Sequence, residues 1–169
     1  MQIRRARENE VSQLSALAFE SKASWGYSAA QMDEWREQLT VSRAAVVSRP
    51  SYVAELETAV AGFYVLAPAK PFWELDHFWV SPRHMGIGVG RALLAHAATR
   101  VAAGGANALA IDADPNAEPF YLACGAKRVG TLAAPIAGSP DRVRPQLLLA
   151  ARKPSGRSTA ERTSREVRG

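Results

Sequence analysis

Residues 80–94 read VSPRHMGIGVGRALL and join a predicted strand, residues 72–80, to a predicted helix. The joining turn is glycine-rich, with Gly86, Gly88 and Gly90 at alternate positions. Backbone N–H groups in such a turn, with the N-terminus of a helix behind them, form a binding site suited to phosphate. Glycine is needed there because side chains block close approach of the ligand and because some positions favour a positive φ. The stretch therefore predicts a phosphate-binding turn.

Two common phosphate-binding motifs do not fit this turn. A dinucleotide-binding fold requires G-x-G-x-x-G, but the sixth position counted from Gly86 is Arg91. A P-loop requires Gly-Lys-Ser or Gly-Lys-Thr after four spacer residues, and the sequence has no such triplet here. The turn therefore belongs to neither of these two classes of phosphate-binding motif.

The turn resembles motif A of the GNAT N-acetyltransferase superfamily, V-x-P-x-x-Q-x-x-G-x-G/A followed by a leucine-bearing helix. Two registers fit the core of that motif. One reads from Arg83 through Gly86 and Gly88, and the other reads from Met85 through Gly88 and Gly90. The second is preferred because it keeps the spacing from the preceding strand. It places Met85 where the family usually has Gln or Arg.

A second stretch, residues 112–130 (DADPNAEPFYLACGAKRVG), is similar to a later motif of the same superfamily, A-x-x-F/L-Y-x-x-x-G-F/A. The positions that match are Ala117, Phe120, Tyr121, Gly125 and Ala126. The Asn that the family often has three residues before the Ala is Asp114 here, with Asn116 nearby. Together the two motifs cover residues 72–130.

The resemblance implies an α/β fold: a mixed central sheet of about six or seven strands, helices on both faces and a splayed central strand pair. Propensity and periodicity predict the elements independently. The predicted strands are residues 2–6, 51–56, 59–67, 72–80, 107–113, 126–132 and 145–151. The predicted helices are residues 8–23, 28–39, 116–124 and one that opens at the glycine turn and ends near 103.

Composition narrows the class of protein. The chain has 169 residues, a formal net charge of +5 and one cysteine, Cys124, which excludes an internal disulfide or a Cys-based zinc site. The histidines show no metal-ligand spacing, so we expect no metal. No secretory signal or apolar stretch of about 20 residues is found, so we expect a cytoplasmic protein. Residues 1–153 are predicted to form the acyltransferase domain and residues 154–169 a disordered basic tail.

The family resemblance implies acetyl-CoA, or a related acyl-CoA, as co-substrate. The backbone of strand residues 78–80 is expected to bind the pantetheine arm, and the glycine turn the phosphates. The implied cofactor-binding residues are Phe78, Trp79, Val80, Arg83, Met85, Gly86, Ile87, Gly88, Val89, Gly90, Arg91 and Asn116.

Acyl transfer to an amine needs a base for the ammonium, a donor for the oxyanion and an acid for the thiolate. The resemblance implies that Tyr121 is the acid. Glu74, eleven residues before Met85, is the favoured base because some family members carry a glutamate there. Asp76 shares its sheet face in a regular strand, whereas His77 faces the other side unless a bulge intervenes. Asp76, a water relay and an already neutral amine remain alternatives for the base.

Aromatic residues near the predicted first helices suggest where the acceptor binds. Trp25 and Tyr27 flank Gly26, and Trp73 opens the central strand, so we expect these three aromatic residues to line a pocket for a small amine. Trp35 is as consistent with a core position. Protein N-terminal or lysine acetylation and a non-catalytic acyl-CoA sensor are the alternatives. Nucleic acid is an unlikely partner, since basic and aromatic residues do not interleave, and a homodimer is a further expectation.

Overall fold

A computed structural model of the chain describes residues 1–153 and shows one seven-stranded mixed sheet. The strand order is β1-β2-β3-β4-β5-β7-β6, and among these described strands only the β4–β5 pair is parallel. This confirms the predicted fold class. The tail predicted over residues 154–169 lies outside the described residues. The strands are β1 Gln2–Arg5, β2 Ser51–Leu56, β3 Ala59–Ala67, β4 Trp73–Val80, β5 Ala108–Asp112, β6 Lys127–Ala133 and β7 Val143–Ala150.

Within residues 1–153, six α-helices connect these strands, together with short 3-10 turns at Glu8–Glu10, Pro82–His84 and Pro115–Ala117. Their bounds are α1 Val11–Ala23, α2 Ala29–Glu34, α3 Arg36–Leu39, α4 Arg43–Ser48, α5 Val89–Ala103 and α6 Glu118–Ala123. The prediction of a single helix over residues 28–39 is wrong, because the helix is interrupted at Trp35 and forms α2 and α3. Helix α4 was not among the predicted elements: it is six residues long, and the Ser42 hydroxyl caps it by accepting a 3.1 Å hydrogen bond from the Ala45 amide.

Helices cover both faces of the sheet. On one face the apolar stripe of α5 packs on the central strands with the aromatic residues of α6, and Leu93 and Leu94 are essentially fully buried. On the other face α1 and α4 pack on β2 and β3, with Leu14 and Phe63 at the centre. Burial of two such layers is the main force that holds the fold together.

The parallel pair at the centre of the sheet is short. β4 and β5 pair only at Trp73–Leu109 and at Glu74–Ala110. From residue 75 onward no ladder joins them, which confirms the splayed pair. The edge of β4 that faces β5 is therefore without a strand partner along residues 75–80.

A bulge interrupts β4 on its other edge. His77 pairs with Val65 and Leu75 pairs with Leu66, which leaves Asp76 as the extra residue. Paired residues share a sheet face, so His77 lies on the face of Phe63, and the two ring centroids are 6.1 Å apart. In a regular strand His77 and Glu74 would lie on opposite faces of the sheet. Because the bulge inserts one extra residue between them, they lie on the same face.

Candidate active site

A cavity of about 1310 Å³ follows the gap between β4 and β5 and extends from the glycine turn to α1 and α2. Many of the predicted site residues line it, although they come from distant parts of the chain. They are Trp25, Glu74, Phe78, Trp79, Val80, Met85, Gly86, Gly88, Gly90, Arg91 and Tyr121. The fold thus brings most of the predicted cofactor and catalytic positions to one cleft.

The glycine turn leaves open space at two of its three glycines. Gly86 has φ +79° and Gly88 has φ +92°, and a Cβ at either position would have no neighbour within 4 Å. Gly88 is the N-cap of α5, so the first amides of that helix point into the open turn without intrahelical partners. Gly90 differs, because a Cβ there would lie 3.1 Å from the Phe120 ring. Its role in the structure is close packing of α5 on α6.

The other predicted cofactor residues divide between cleft and core. Arg83 and Arg91 are both exposed beside the turn, and Arg91 lines the cavity whereas Arg83 does not. Ile87 is exposed outside the cavity lining, and the Val89 side chain is buried in the core of the sheet. The Asn116 amide donates a hydrogen bond of 3.1 Å to the Tyr27 hydroxyl, and Asn116 does not line this cavity.

Tyr121 lies in α6 with its side chain against the cleft. Its ring is held by Phe120 and Phe78, at centroid distances of 5.1 Å and 5.8 Å. Burial raises the pKa of Tyr121, and charge interactions with Cys124 and Asp114 raise it further. The hydroxyl is therefore protonated at neutral pH, and within residues 1–153 no side-chain hydrogen bond occupies it.

The two carboxylates of β4 differ in their partners. Glu74 is exposed, lines the cleft at the point where the β4–β5 ladder ends, and has no ion pair among the described residues. Asp76, at the bulge, accepts a hydrogen bond of 2.8 Å from the Arg49 guanidinium. Glu74 is therefore the carboxylate that is free to take part in chemistry at the cleft.

The aromatic residues predicted for the acceptor have separate positions. Trp25 lines the cleft and is 41% exposed. Tyr27 is half-buried beside it and forms an edge-to-face contact with Trp35, with ring centroids 4.8 Å apart. Trp73 does not line the cleft: its indole covers Gly104, where a Cβ would overlap the ring. The glycine stop of α5 thus accommodates Trp73 in a packing role.

One wall of the cleft carries a group of charged and aromatic side chains that were not predicted to lie together. We call it the Lys22 cluster: Lys22, Tyr27, Trp35, Asp114 and Arg142. The Lys22 ammonium donates to the Asp114 carboxylate. The same carboxylate accepts a 2.8 Å hydrogen bond from the Tyr27 hydroxyl and a 3.3 Å contact from Arg142. The side chains of Lys22, Asp114 and Arg142 are all about nine-tenths buried, at 11%, 8% and 7% exposure.

The charges of the Lys22 cluster perturb one another. Burial lowers the pKa of Lys22, against the raising effect of Asp114, and the positive charges of Arg142 and Arg144 lower it further. Burial alone would raise the pKa of Asp114, but its hydrogen bond and charge interaction with Lys22 hold it below its usual value. Asp114 is therefore a buried carboxylate at neutral pH.

No contiguous motif could have revealed this cluster. Lys22 is in the last turn of α1, Tyr27 is in the following loop, Asp114 follows β5, and Arg142 precedes β7. One signal was available: Asp114 stands where the resembled motif usually has Asn. In the structure this carboxylate pairs with Lys22 and Arg142, and it also caps the 3-10 turn by accepting a 2.8 Å hydrogen bond from the Asn116 amide.

Neither a metal centre nor a membrane-spanning helix is found in the described part of the chain. Residues 1–153 contain no group of three or more His, Cys, Asp or Glu side chains arranged to hold a metal ion. Within the same residues no helix is both long and apolar enough to cross a bilayer.

Comparison with known proteins agrees with the fold. The sequence model of the acetyltransferase (GNAT) family matches residues 10–126. No curated protein sequence matches the chain.

Solved structures of acetyltransferases superpose over most of the chain. A GCN5-related N-acetyltransferase from Rhodopseudomonas palustris is 20% identical, with a TM-score of 0.73 over 88% of this chain and 94% of that one. The paiA N-acetyltransferase from Thermoplasma acidophilum, in complex with coenzyme A, is 19% identical, with a TM-score of 0.71 over 88% and 98%. The yncA protein of Salmonella typhimurium, with acetyl-CoA, is 16% identical, with a TM-score of 0.66 over 94% and 98%.

Proposed function

The chain belongs to the acetyltransferase (GNAT) family, and we propose that it transfers an acetyl group from acetyl-CoA to a primary amine of a small molecule. Transfer is by direct attack while both substrates are bound. The observation that carries the proposal is the single cleft that joins the glycine turn, the free edge of β4 and Tyr121 to a polar pocket under α1 and α2.

The cofactor end of the cleft fits an acyl-CoA. Gly86 and Gly88 leave room for a phosphate above the turn, where the amides at the start of α5 point. Arg91 brings a permanent positive charge to the same rim. The backbone of residues 78–80 has no strand partner on the side of β5, so it is free to bind the pantetheine arm. Acetyl-CoA supplies the activated acyl group as a thioester.

Tyr121 is the proton donor in this proposal. Its hydroxyl is protonated because burial raises its pKa, and Phe78 and Phe120 fix the direction of the ring. A neutral donor at the leaving sulfur lowers the barrier to expelling a thiolate. Attack in a ternary complex forms the amide bond and breaks the thioester bond, so the chain needs no nucleophile of its own.

Glu74 is the group that removes the proton from the acceptor ammonium. It is on the cleft, exposed to water, and unpaired among the described residues, so it can act directly or through one water molecule. Asp76 is less suited to this role, since its carboxylate is held by Arg49.

The first test measures release of the free CoA thiol with a panel of small amines and of peptides. The proposal expects release that depends on a small amine. Binding of acetyl-CoA without release for any acceptor would favour a sensor, and release with peptides alone would favour a protein acetyltransferase.

A pair of matched variants then tests the base. Glu74→Gln and Asp76→Asn each remove one carboxylate from the same strand. We expect Glu74→Gln to lower turnover by about 10²-fold, as loss of a general base does, and Asp76→Asn to have the smaller effect. Equal losses would remove the distinction between the two, and no loss in either would leave a water relay or an already neutral amine.

A further inference from the structure

The wall of the cleft formed by the Lys22 cluster carries more positive than negative charge. Asp114 is shared between two buried cations, Lys22 and Arg142. The neighbouring Arg144 is already paired with Asp112 at 2.9 Å. Glu34 also lines the cavity, but it is exposed and accepts a hydrogen bond from Gln31. One positive charge on this buried wall is therefore left without a counter-ion among the described residues.

An uncompensated buried charge is unfavourable, so its place in the cleft needs a reason. A structural tie between α1 and the residues after β5 would be complete with Lys22 and Asp114 alone. Arg142 adds a second cation 3.3 Å from a carboxylate that already accepts three shorter hydrogen bonds, from Lys22, Tyr27 and the Asn116 amide. Burial is the main cause that lowers the pKa of Lys22, and the positive charges of Arg142 and Arg144 lower it further.

The guanidinium of Arg142 has unused donor capacity. Its Nη1 donates to the Ala134 carbonyl at 3.1 Å, and its Nη2 makes only long contacts, 3.4 Å to Tyr27 and 3.3 Å to Asp114. Its Nε–H is buried and has no hydrogen-bond partner among the described residues. The Nε–H of Arg144, on the same wall, is also without one in residues 1–153.

The surroundings hold these cations in place. Lys22 Nζ lies 4.4 Å from the centroid of the Trp35 ring, and the Arg142 guanidinium lies 5.3 Å from the same centroid. Both also contact the Tyr27 ring, at 5.1 Å and 5.7 Å. Because aromatic faces stabilise cations without neutralising them, the positive potential remains directed at the cleft.

We propose that Arg142 and Lys22 bind a carboxylate of the acceptor, so that the acceptors of this enzyme are amino acids or other amines that also carry a carboxylate. A planar carboxylate suits the guanidinium fork, and it would supply the negative charge that this wall lacks. The inference rests on the proposed acetyltransferase function, which it narrows from small amines in general to anionic ones.

The test compares each proteinogenic amino acid with its own carboxamide, using CoA thiol release by the full chain. Each pair has the same amine and side chain and differs only in the carboxylate. We expect kcat/KM for the best acids to exceed that of their amides by about 10- to 100-fold, mainly through KM, as charge-assisted hydrogen bonds require. This comparison needs no variant and so does not depend on the stability of one.

Arg142→Gln tests the assignment to this side chain. The substitution leaves Lys22 and Asp114 as a balanced ion pair. The ratio of kcat/KM for an acid to kcat/KM for its amide should then fall by about tenfold or more. Arg128→Gln is the matched control, since it removes the same charge from an exposed arginine of β6 that is paired with Glu118 and does not line the cleft. Its acid-to-amide ratio should equal that of the wild type, and thermal unfolding checks that both variants are folded.

The possible outcomes separate the two proposals. Amides that react as fast as acids, peptides as the only acceptors, or a ratio unchanged by Arg142→Gln would overturn the carboxylate site and leave the transferase activity standing. Acetyl-CoA binding without release for any amine would contradict the transferase proposal itself, and the carboxylate site with it.

Discussion

The two ends of the cleft use different parts of the chain, backbone groups at one end and side chains at the other. The cofactor end depends on backbone: two open glycines, the amides at the start of α5 and the unpaired edge of β4. The acceptor end depends on side chains, with Lys22, Asp114 and Arg142 buried together on one wall. A backbone site binds whatever phosphate chain fits its shape, whereas a side-chain site changes its ligand with each substitution. We therefore expect substitutions at the acceptor end to change which amine reacts, and substitutions at the cofactor end to change the affinity for the acyl donor.

The largest effect is expected where the two ends meet, at Tyr121. Tyr121→Phe should lower turnover by roughly 10- to 10³-fold with little change in acetyl-CoA affinity, because only the acid is lost while the ring still packs on Phe78 and Phe120. Steady-state kinetics and calorimetric titration of acetyl-CoA measure the two quantities. Unchanged turnover would remove Tyr121 from the mechanism, and a matching loss of affinity would assign it to cofactor binding.

At the acceptor end, Asp114→Asn should reduce the free energy of unfolding by about 3 kcal/mol, because Lys22 and Arg142 would be left buried without a counter-ion. Asp33→Asn is the control, since its pair with Arg36 is exposed and should change stability by less than about 0.5 kcal/mol. Urea denaturation at pH 7 measures both. Equal effects would show that the Lys22 cluster does not depend on Asp114.

The same carboxylate should make the fold sensitive to acid. The folded-state pKa of Asp114 is lowered, so its contribution to stability is present above its ordinary pKa and is lost as the pH falls through the folded value. The difference in stability between the wild type and Asp114→Asn should therefore shrink progressively below about pH 4. A difference that stays constant down to about pH 2 would contradict this assignment.

At the cofactor end the expected effect is smaller and falls on binding. Gly88→Ala should weaken acetyl-CoA binding by about tenfold, since the new methyl group enters the open turn and strains its positive φ. Gly105→Ala is the matched control: Gly105 has φ +82° and equally open surroundings, but lies after α5 and outside the cleft lining. Both should lose about 1 kcal/mol of stability through backbone strain, and only Gly88→Ala should lose affinity. Equal affinities of Gly88→Ala and Gly105→Ala for acetyl-CoA would contradict the proposal that the turn binds phosphate.

The contrast between the two ends also explains what could be predicted from the sequence. The glycine turn, its helix and the Tyr121 motif are contiguous stretches, so their chemistry could be inferred from the order of neighbouring residues. The interruption of the predicted second helix at Trp35 and the short helix α4 depend on tertiary packing, which local periodicity does not report. The bulge at Asp76 has no signature in the sequence, and it changes the face of His77.

The acceptor site was the hardest part to predict for a related reason. Aromatic residues suggested its position, and Trp25 does line the cleft, yet Trp73 proved to pack on Gly104. Lys22 and Arg142 are 120 positions apart in the sequence and meet only because β7 lies beside β5. Their shared carboxylate, Asp114, could be noticed only as a departure from a motif, without its partners.

Arg142 also closes the loop between β6 and β7. The Ala134 amide donates to the Arg142 carbonyl at 3.0 Å, and the Arg142 guanidinium donates back to the Ala134 carbonyl at 3.1 Å. These two hydrogen bonds join the two ends of the loop, so we expect changes in the length of residues 135–141 to leave the pairing of β6 with β7 in place. Pro135 and Ile136 of that loop border the cleft. We therefore expect exchanges within residues 135–141 to change which acceptors react, while β6 and β7 keep their register.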